Sequence, residues 1–197
     1  DDATILNDKR EEFSESHNRS RMLEYSRDKA EFVVCIDTDE LMSSNLIDDW
    51  QNILEHSKKY DLQYFWYNVV GSLKMRRNDP LYRDNYRTFI LPMEHTGKFD
   101  MSQYKYHTPR TPTVHLPVAQ TRDVGFIHLQ AINKKFYALK QLWYKHYEYV
   151  NWKHSVDYIN GRYDPVVNGL DFEDINIPEN IIKGIEFDTS VYDEMEE

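Results

Sequence analysis

The amino-acid sequence predicts an α/β domain, a mixed sheet with flanking helices, and three consecutive segments carry that prediction. Residues 31–37 form an apolar, β-branched run that ends abruptly in charge. Residues 44–60 repeat apolar side chains at helical spacing, and residues 62–70 form a second apolar run. Strand, charged loop, helix and strand in that order is the rhythm of a sheet with helices packed on it.

Taken in chain order, residues 8–30 contain neither Gly nor Pro and space Phe13, Met22, Leu23 and Tyr25 among polar residues, which predicts an exposed helix or helix pair. Glu31 to Asp37 reads as a strand buried on both faces of a largely parallel sheet. Ser43 or Ser44 offers an N-cap to a helix whose apolar positions are Leu46, Ile47, Trp50, Ile53 and Leu54. Leu62 to Val70 is a second buried strand. Residues 71–122 hold five of the seven prolines and several basic clusters, with strand candidates at Arg87 to Leu91 and Tyr104 to His107. A long irregular section of this kind is usually functional. Val124 to Leu129 predicts another short strand, and Phe136, Leu139, Trp143 and Tyr147 mark one face of a helix running from about Asn133 into the 150s. The organisation expected is one domain over residues 1–160 and an acidic C-terminal extension, a covering tail or short helix, over 161–197.

With 197 residues the chain is long enough for a single sizeable core. Its longest apolar run is the five residues Phe32 to Ile36, against about 20 for a membrane-crossing helix, so no transmembrane segment is expected. The net charge of -10 is unevenly spread: residues 1–61 carry -8, residues 62–160 carry +7 and residues 161–197 carry -9. The acidic total argues against a nucleic-acid partner, which needs a net basic face. The basic middle segment also holds six of the eight histidines and eleven of the fifteen tyrosines, a surface suited to a phosphorylated small molecule. A lone cysteine, Cys35, can form no internal disulfide, and no signal-peptide pattern is present, which together predict a reduced, cytoplasmic setting. The chain begins with Asp1 and is expected to be a fragment or excised domain.

Three pieces carry chemistry. Asp37-Thr38-Asp39-Glu40 follows a buried strand, and ligands of α/β sheets bind at the carboxyl ends of strands. Asp37 and Asp39 alternate on an extended segment and so can approach one site, where two carboxylates repel unless a cation joins them. Hard oxygen ligands of this kind suit Mg2+ or Mn2+ bridging to a diphosphate, the plain alternative being a solvated acidic turn. His128 stands alone in the apolar strand Gly125 to Gln130 and is followed by Lys134, Lys135 and Lys140; it can serve as a metal ligand or as a core histidine satisfied by a backbone carbonyl. Tyr104 to Arg110 combines aromatic rings, His107 and the Arg110 guanidinium, which can grip phosphate in bidentate fashion or simply furnish a surface loop.

In this order the pieces resemble the family 2 glycosyltransferases of the GT-A fold, in the branch whose Asp-x-Asp motif reads Asp-x-Asp-Glu. Asn18-Arg19-Ser20-Arg21-Met22-Leu23-Glu24 followed by Phe32 to Glu40 is similar to that branch's Arg-rich helix and metal-binding strand end. Arg87-Thr88-Phe89 and Tyr106-His107 are similar to its Arg-x-Phe strand and His turn. His128-Leu129-Gln130, with Lys140, Tyr144 and Glu148 after it, resembles its closing His-x-Gln, Lys, Tyr, Glu signature. The resemblance spans roughly residues 1–150 and implies a Rossmann-related, GT-A-like fold that lacks the first strands of the nucleotide-binding half. It implies transfer of a sugar, with inversion, from a nucleotide-diphosphate sugar donor to a hydroxyl of a glycan, lipid-linked or protein acceptor. Asp37, Asp39 and His128 would be the ligands of Mn2+ or Mg2+, with Asp37, Arg110 and Lys140 on the donor. The family's acidic base has no direct counterpart, since Thr108 follows His107 where the branch often has Glu, which leaves Glu94, Asp100 or His107.

Two rivals come from other classes. Val33 to Asp39 also resembles the nucleophile strand of haloacid-dehalogenase-like phosphatases, with Asp37 attacking phosphorus and Asp39 acting as acid, although Leu41 replaces the usual Thr or Val. The non-enzymatic rival is a binding or scaffold fragment that keeps the sheet without the donor pocket.

Overall fold

The computed structural model describes residues 15–78, 82–99, 110–151, 154–167 and 174–186. In chain order the elements are α1 (Glu15–Ser26), β1 (Phe32–Val34), β2 (Glu40–Met42), α2 (Ser44–Asp48), α3 (Trp50–Ser57), β3 (Asp61–Val70), β4 (Ser72–Arg77), β5 (Tyr86–Thr88), β6 (Ile90–Pro92), β7 (Val118–Ala131), α4 (Lys134–Asn151), α5 (Val156–Val167), β8 (Asp174–Asn176) and α6 (Glu179–Ile182). The architecture is α/β, and the chain divides into two compact units. One takes residues 1–37, 49–64 and 86–122; the other takes 38–48, 65–85 and 123–197. The division falls inside β3 and inside β7.

In the first unit β1 pairs antiparallel with β6, Phe32 opposite Pro92 and Val34 opposite Ile90, as a two-stranded sheet. The expected place of this run in a largely parallel sheet is therefore corrected. Its apolar continuity has another cause: Val33 and Cys35 pack against Leu23 of α1 together with Leu91, Met93, Phe99 and Val114. Ile36, beyond the strand, is 43% exposed. α1 covers residues 15–26 of the predicted 8–30 helix, of which residues 8–14 lie outside the described residues.

The second unit holds most of a sheet of order β2-β7-β3-β4-β8, with β5 paired on β3 in the first. β2 lies antiparallel on β7, with Glu40 opposite His128 and Met42 opposite Phe126. Ser43 continues that ladder, giving its N–H to the Gly125 carbonyl at 2.9 Å while its hydroxyl accepts from the Gly125 N–H at 3.0 Å. Gly125 has a steric reason to be glycine, because a Cβ there would stand 2.5 Å from the Phe65 carbonyl oxygen and 2.8 Å from the Tyr67 ring. A reversal at Gly71 (φ 65°), a left-handed position that suits glycine, joins β3 to β4.

Tyr137 anchors α4 by packing on Val70 and Ala131, and its hydroxyl accepts from the buried Arg77 guanidinium at 2.6 Å. α5 packs along α4. There the fully buried Glu148 accepts from the Tyr163 hydroxyl at 2.6 Å, and Lys145 pairs with Asp164. Residues after 160, expected as an acidic extension, supply most of α5, then β8, which pairs antiparallel with β4, and α6. Among the described residues no helix is long and apolar enough to cross a membrane.

Candidate functional site

The sequence-derived candidates fall into the two units, each with its own geometry. In the first, Asp37 follows β1 and is held by two guanidinium groups. Arg19 of α1 reaches Oδ1 at 2.8 Å and Arg110 reaches Oδ2 at 2.8 Å. Arg110 also lies over the Phe89 ring, 4.9 Å from its centroid, and is only 10% exposed. Asp37 thus orders Arg110, and both oxygens that a nucleophilic or metal-ligating Asp37 would use are engaged in ion pairs. Glu94, on a short 3-10 turn, is 72% exposed and pairs with His95 at 3.1 Å. It borders an open cleft of about 320 Å3 lined also by Arg27, Phe32, Lys58 and Met93. His107 and Asp100 lie outside the described residues.

In the second unit the structure brings together Asp39, His128 and Lys140. The backbone does the placing: the Leu129 N–H donates to the Asp39 carbonyl at 2.8 Å, and Glu40 sits opposite His128 in the β2–β7 register. The Asp39 carboxylate then faces the imidazole, with Oδ2 3.4 Å from His128 Nε2 and 3.5 Å from Lys140 Nζ. His128 holds Asp39 well below the usual carboxylate range by hydrogen bonding; burial opposes this, while the charges of His128 and Lys140 reinforce it. The carboxylate form of Asp39 is therefore favoured.

A residue that the sequence reading missed, Asn68 of β3, decides which nitrogen of His128 carries a proton. The Asn68 amide nitrogen donates to the Trp66 carbonyl at 3.0 Å, which turns its oxygen toward His128 Nδ1 at 2.7 Å. An oxygen acceptor at Nδ1 requires the proton on Nδ1, so Nε2 is the nitrogen that faces the carboxylate: it donates to Asp39 when the ring is doubly protonated, the state in which His128 lowers the Asp39 carboxyl, and it presents a lone pair when the ring is neutral. Two acceptors facing each other at 3.4 Å call for something positive between them, a proton or a cation. Trp66 stacks on the imidazole at 4.3 Å and 19°, fixing the ring plane. The only signal of Asn68 in the sequence is that it is the one amide inside the apolar stretch from Tyr64 to Val70.

No protein-family model matches the chain, and comparison with curated proteins and with solved structures finds no significant match. The chemistry therefore rests on these residues alone. Among the described residues there is no group of three or more His, Cys, Asp and Glu side chains able to hold a metal ion. Asp39 and His128 make a two-donor set, one oxygen and one nitrogen. One carboxylate oxygen and one imidazole nitrogen would suit a borderline divalent ion such as Mn2+ better than Mg2+, with the remaining ligands from water and substrate phosphates.

Proposed function

We propose that this chain carries the metal-binding part of a glycosyltransferase, which moves a sugar from a nucleotide-diphosphate donor to an acceptor hydroxyl with inversion. The observation that carries the reading is the His128 Nε2 held by Asn68 toward the Asp39 carboxylate, an imidazole nitrogen and a carboxylate oxygen 3.4 Å apart. Bound there, Mn2+ or Mg2+ would neutralise charge on the departing diphosphate. The chain's own groups prepare for that charge. With the His128 ring neutral, Asp39 and His128 would offer an oxygen and a nitrogen donor side by side, and Lys140 stands at the same carboxylate oxygen with a positive charge for phosphate oxygens. Within the first unit, Asp37 orients the Arg110 guanidinium, a group able to grip a phosphate. Deprotonation of the acceptor falls to Glu94, His107 or Asp100, and the acceptor is a glycan, a lipid-linked sugar or a protein.

The test is Mn2+ binding in the presence of uridine diphosphate, followed by loss of the free-ion electron paramagnetic resonance signal. The wild-type chain takes up the ion; Asp39→Asn and His128→Ala reduce the affinity at least about tenfold, while Lys140→Met weakens the nucleotide more than the metal. Equal uptake by wild type and both ligand variants removes the reading.

A further inference from the structure

Two nitrogens approach one carboxylate oxygen, and they are held very differently. Asp39 Oδ2 lies 3.4 Å from His128 Nε2 and 3.5 Å from Lys140 Nζ. The imidazole is locked in place: its side chain is 7% exposed, its Nδ1 is engaged with the Asn68 oxygen at 2.7 Å, and Trp66 stacks on its face. Asp39 is tethered through its own carbonyl, which accepts from the Leu129 N–H. Lys140 is held more loosely. Its side chain is 41% exposed and flexible along its whole stem, and 3.5 Å is longer than a well-formed N–H···O bond. The Tyr144 ring, one turn further along α4, stands 6.0 Å from the same ammonium, at the edge of cation–π range.

The carboxylate therefore has one fixed partner and one exchangeable partner. A divalent ion on Asp39 and His128 would share Oδ2 with the ammonium, and like charges that close repel. A diphosphate offers the ammonium the same kind of partner that Asp39 does, anionic oxygens, in greater number. Metal and diphosphate thus draw on the Asp39–Lys140 pair from opposite sides: one takes the acid, the other takes the amine. Whichever binds first breaks the pair, and the second finds it already broken. By linkage, each then raises the affinity of the chain for the other by the same factor.

We infer that Lys140 is an exchangeable counter-ion that couples metal binding to nucleotide-diphosphate binding: it gives up Asp39 to the metal and passes to the phosphate oxygens. The inference rests on the metal-binding reading above and adds to it a cooperativity that runs through the chain's own ion pair. Its sign is particular. Removal of a lysine that served only the phosphates would weaken the nucleotide and leave binding of the metal alone nearly as before. Removal of an exchangeable lysine strengthens binding of the metal alone and reduces what the nucleotide adds.

Mn2+ titration of the 197-residue chain by electron paramagnetic resonance, with and without uridine diphosphate, tests it, the ion held by the nucleotide in protein-free solution being subtracted. Lys140→Met binds Mn2+ alone at least about threefold more tightly than the wild-type chain, and the factor by which uridine diphosphate raises Mn2+ affinity falls at least about threefold. Lys145, which pairs with Asp164, supplies the control: Lys145→Met removes the same charge from α4 and leaves both values within about twofold of wild type. Unchanged or weaker binding of Mn2+ alone by Lys140→Met overturns the inference, as does an unchanged nucleotide factor or an equal gain in Lys145→Met. If Asp39→Asn and His128→Ala still lose Mn2+, the metal-binding reading survives that result. Equal uptake by wild type, Asp39→Asn and His128→Ala removes both.

Discussion

Replacing Asn68 by Leu keeps a side chain of similar size in a site only 5% exposed and removes the oxygen that fixes the His128 ring. The expected result is a fold that survives and a loss of about tenfold in Mn2+ affinity, read by the same resonance titration; second-layer partners of metal-ligating histidines commonly carry that much. Gly125→Ala acts on stability instead. Its Cβ meets backbone at 2.5 Å, so a strand must shift, and urea unfolding should register a loss of about 2 kcal/mol. Burial pushes the Cys35 thiol up to about 11, with Arg19 and Arg110 pulling partly against it. Iodoacetamide at pH 8 should therefore label native Cys35 far more slowly than the urea-unfolded chain, as mass spectrometry would show. At this scale the sequence revealed charge more readily than geometry. Asp39 and His128 stand out because an acid after an apolar run and a lone imidazole within one are chemically conspicuous. Asn68 carries no charge, and its role exists only through a partner 60 residues away. The pairing of Arg19 with Asp37 is hidden for the same reason.

Between α4 and α5, Tyr163 is the contact to remove. Tyr163→Phe withdraws a hydrogen bond from the buried Glu148, and thermal or urea unfolding should show a loss of about 2 kcal/mol. The helix itself was legible from periodicity, and its face was not. Phe136, Leu139, Trp143 and Tyr147 do recur at helical spacing, yet Leu139 and Trp143 are 60% and 56% exposed. A period finds a stripe without saying what lies against it. The same limit misplaced β1, whose apolar run reflects a local cluster with Leu91 and Met93 and an antiparallel partner in β6. β8 is three residues of mixed polarity inside an acidic stretch, too short for any period, so its pairing with β4 could not be read.

Over the whole chain, three tyrosines tie stability to pH. Burial raises the Tyr64, Tyr137 and Tyr163 phenols above their ordinary value of about 10. The folded state therefore favours the protonated phenols, and their contribution is complete below about pH 10 and is lost as pH rises beyond it. The melting temperature followed by circular dichroism should change little from tyrosine ionisation between pH 7 and 9 and fall above about pH 10, where a flat profile would contradict the burial argument. The α/β class was legible because strand, helix and strand follow one another in the first 70 residues. The division into two units was hidden, since each is assembled from separated stretches of chain.

The site in the second unit also sets a clock. Asp39 and the Lys140 that shares its carboxylate are 101 positions apart. At about 5–20 residues added per second, a ribosome adds the acid some 5–20 s before its lysine. A nascent chain thus passes through a stage in which Asp39 has been made and the helix that supplies Lys140 has not. No early-terminated product that stops short of α4 contains the complete arrangement.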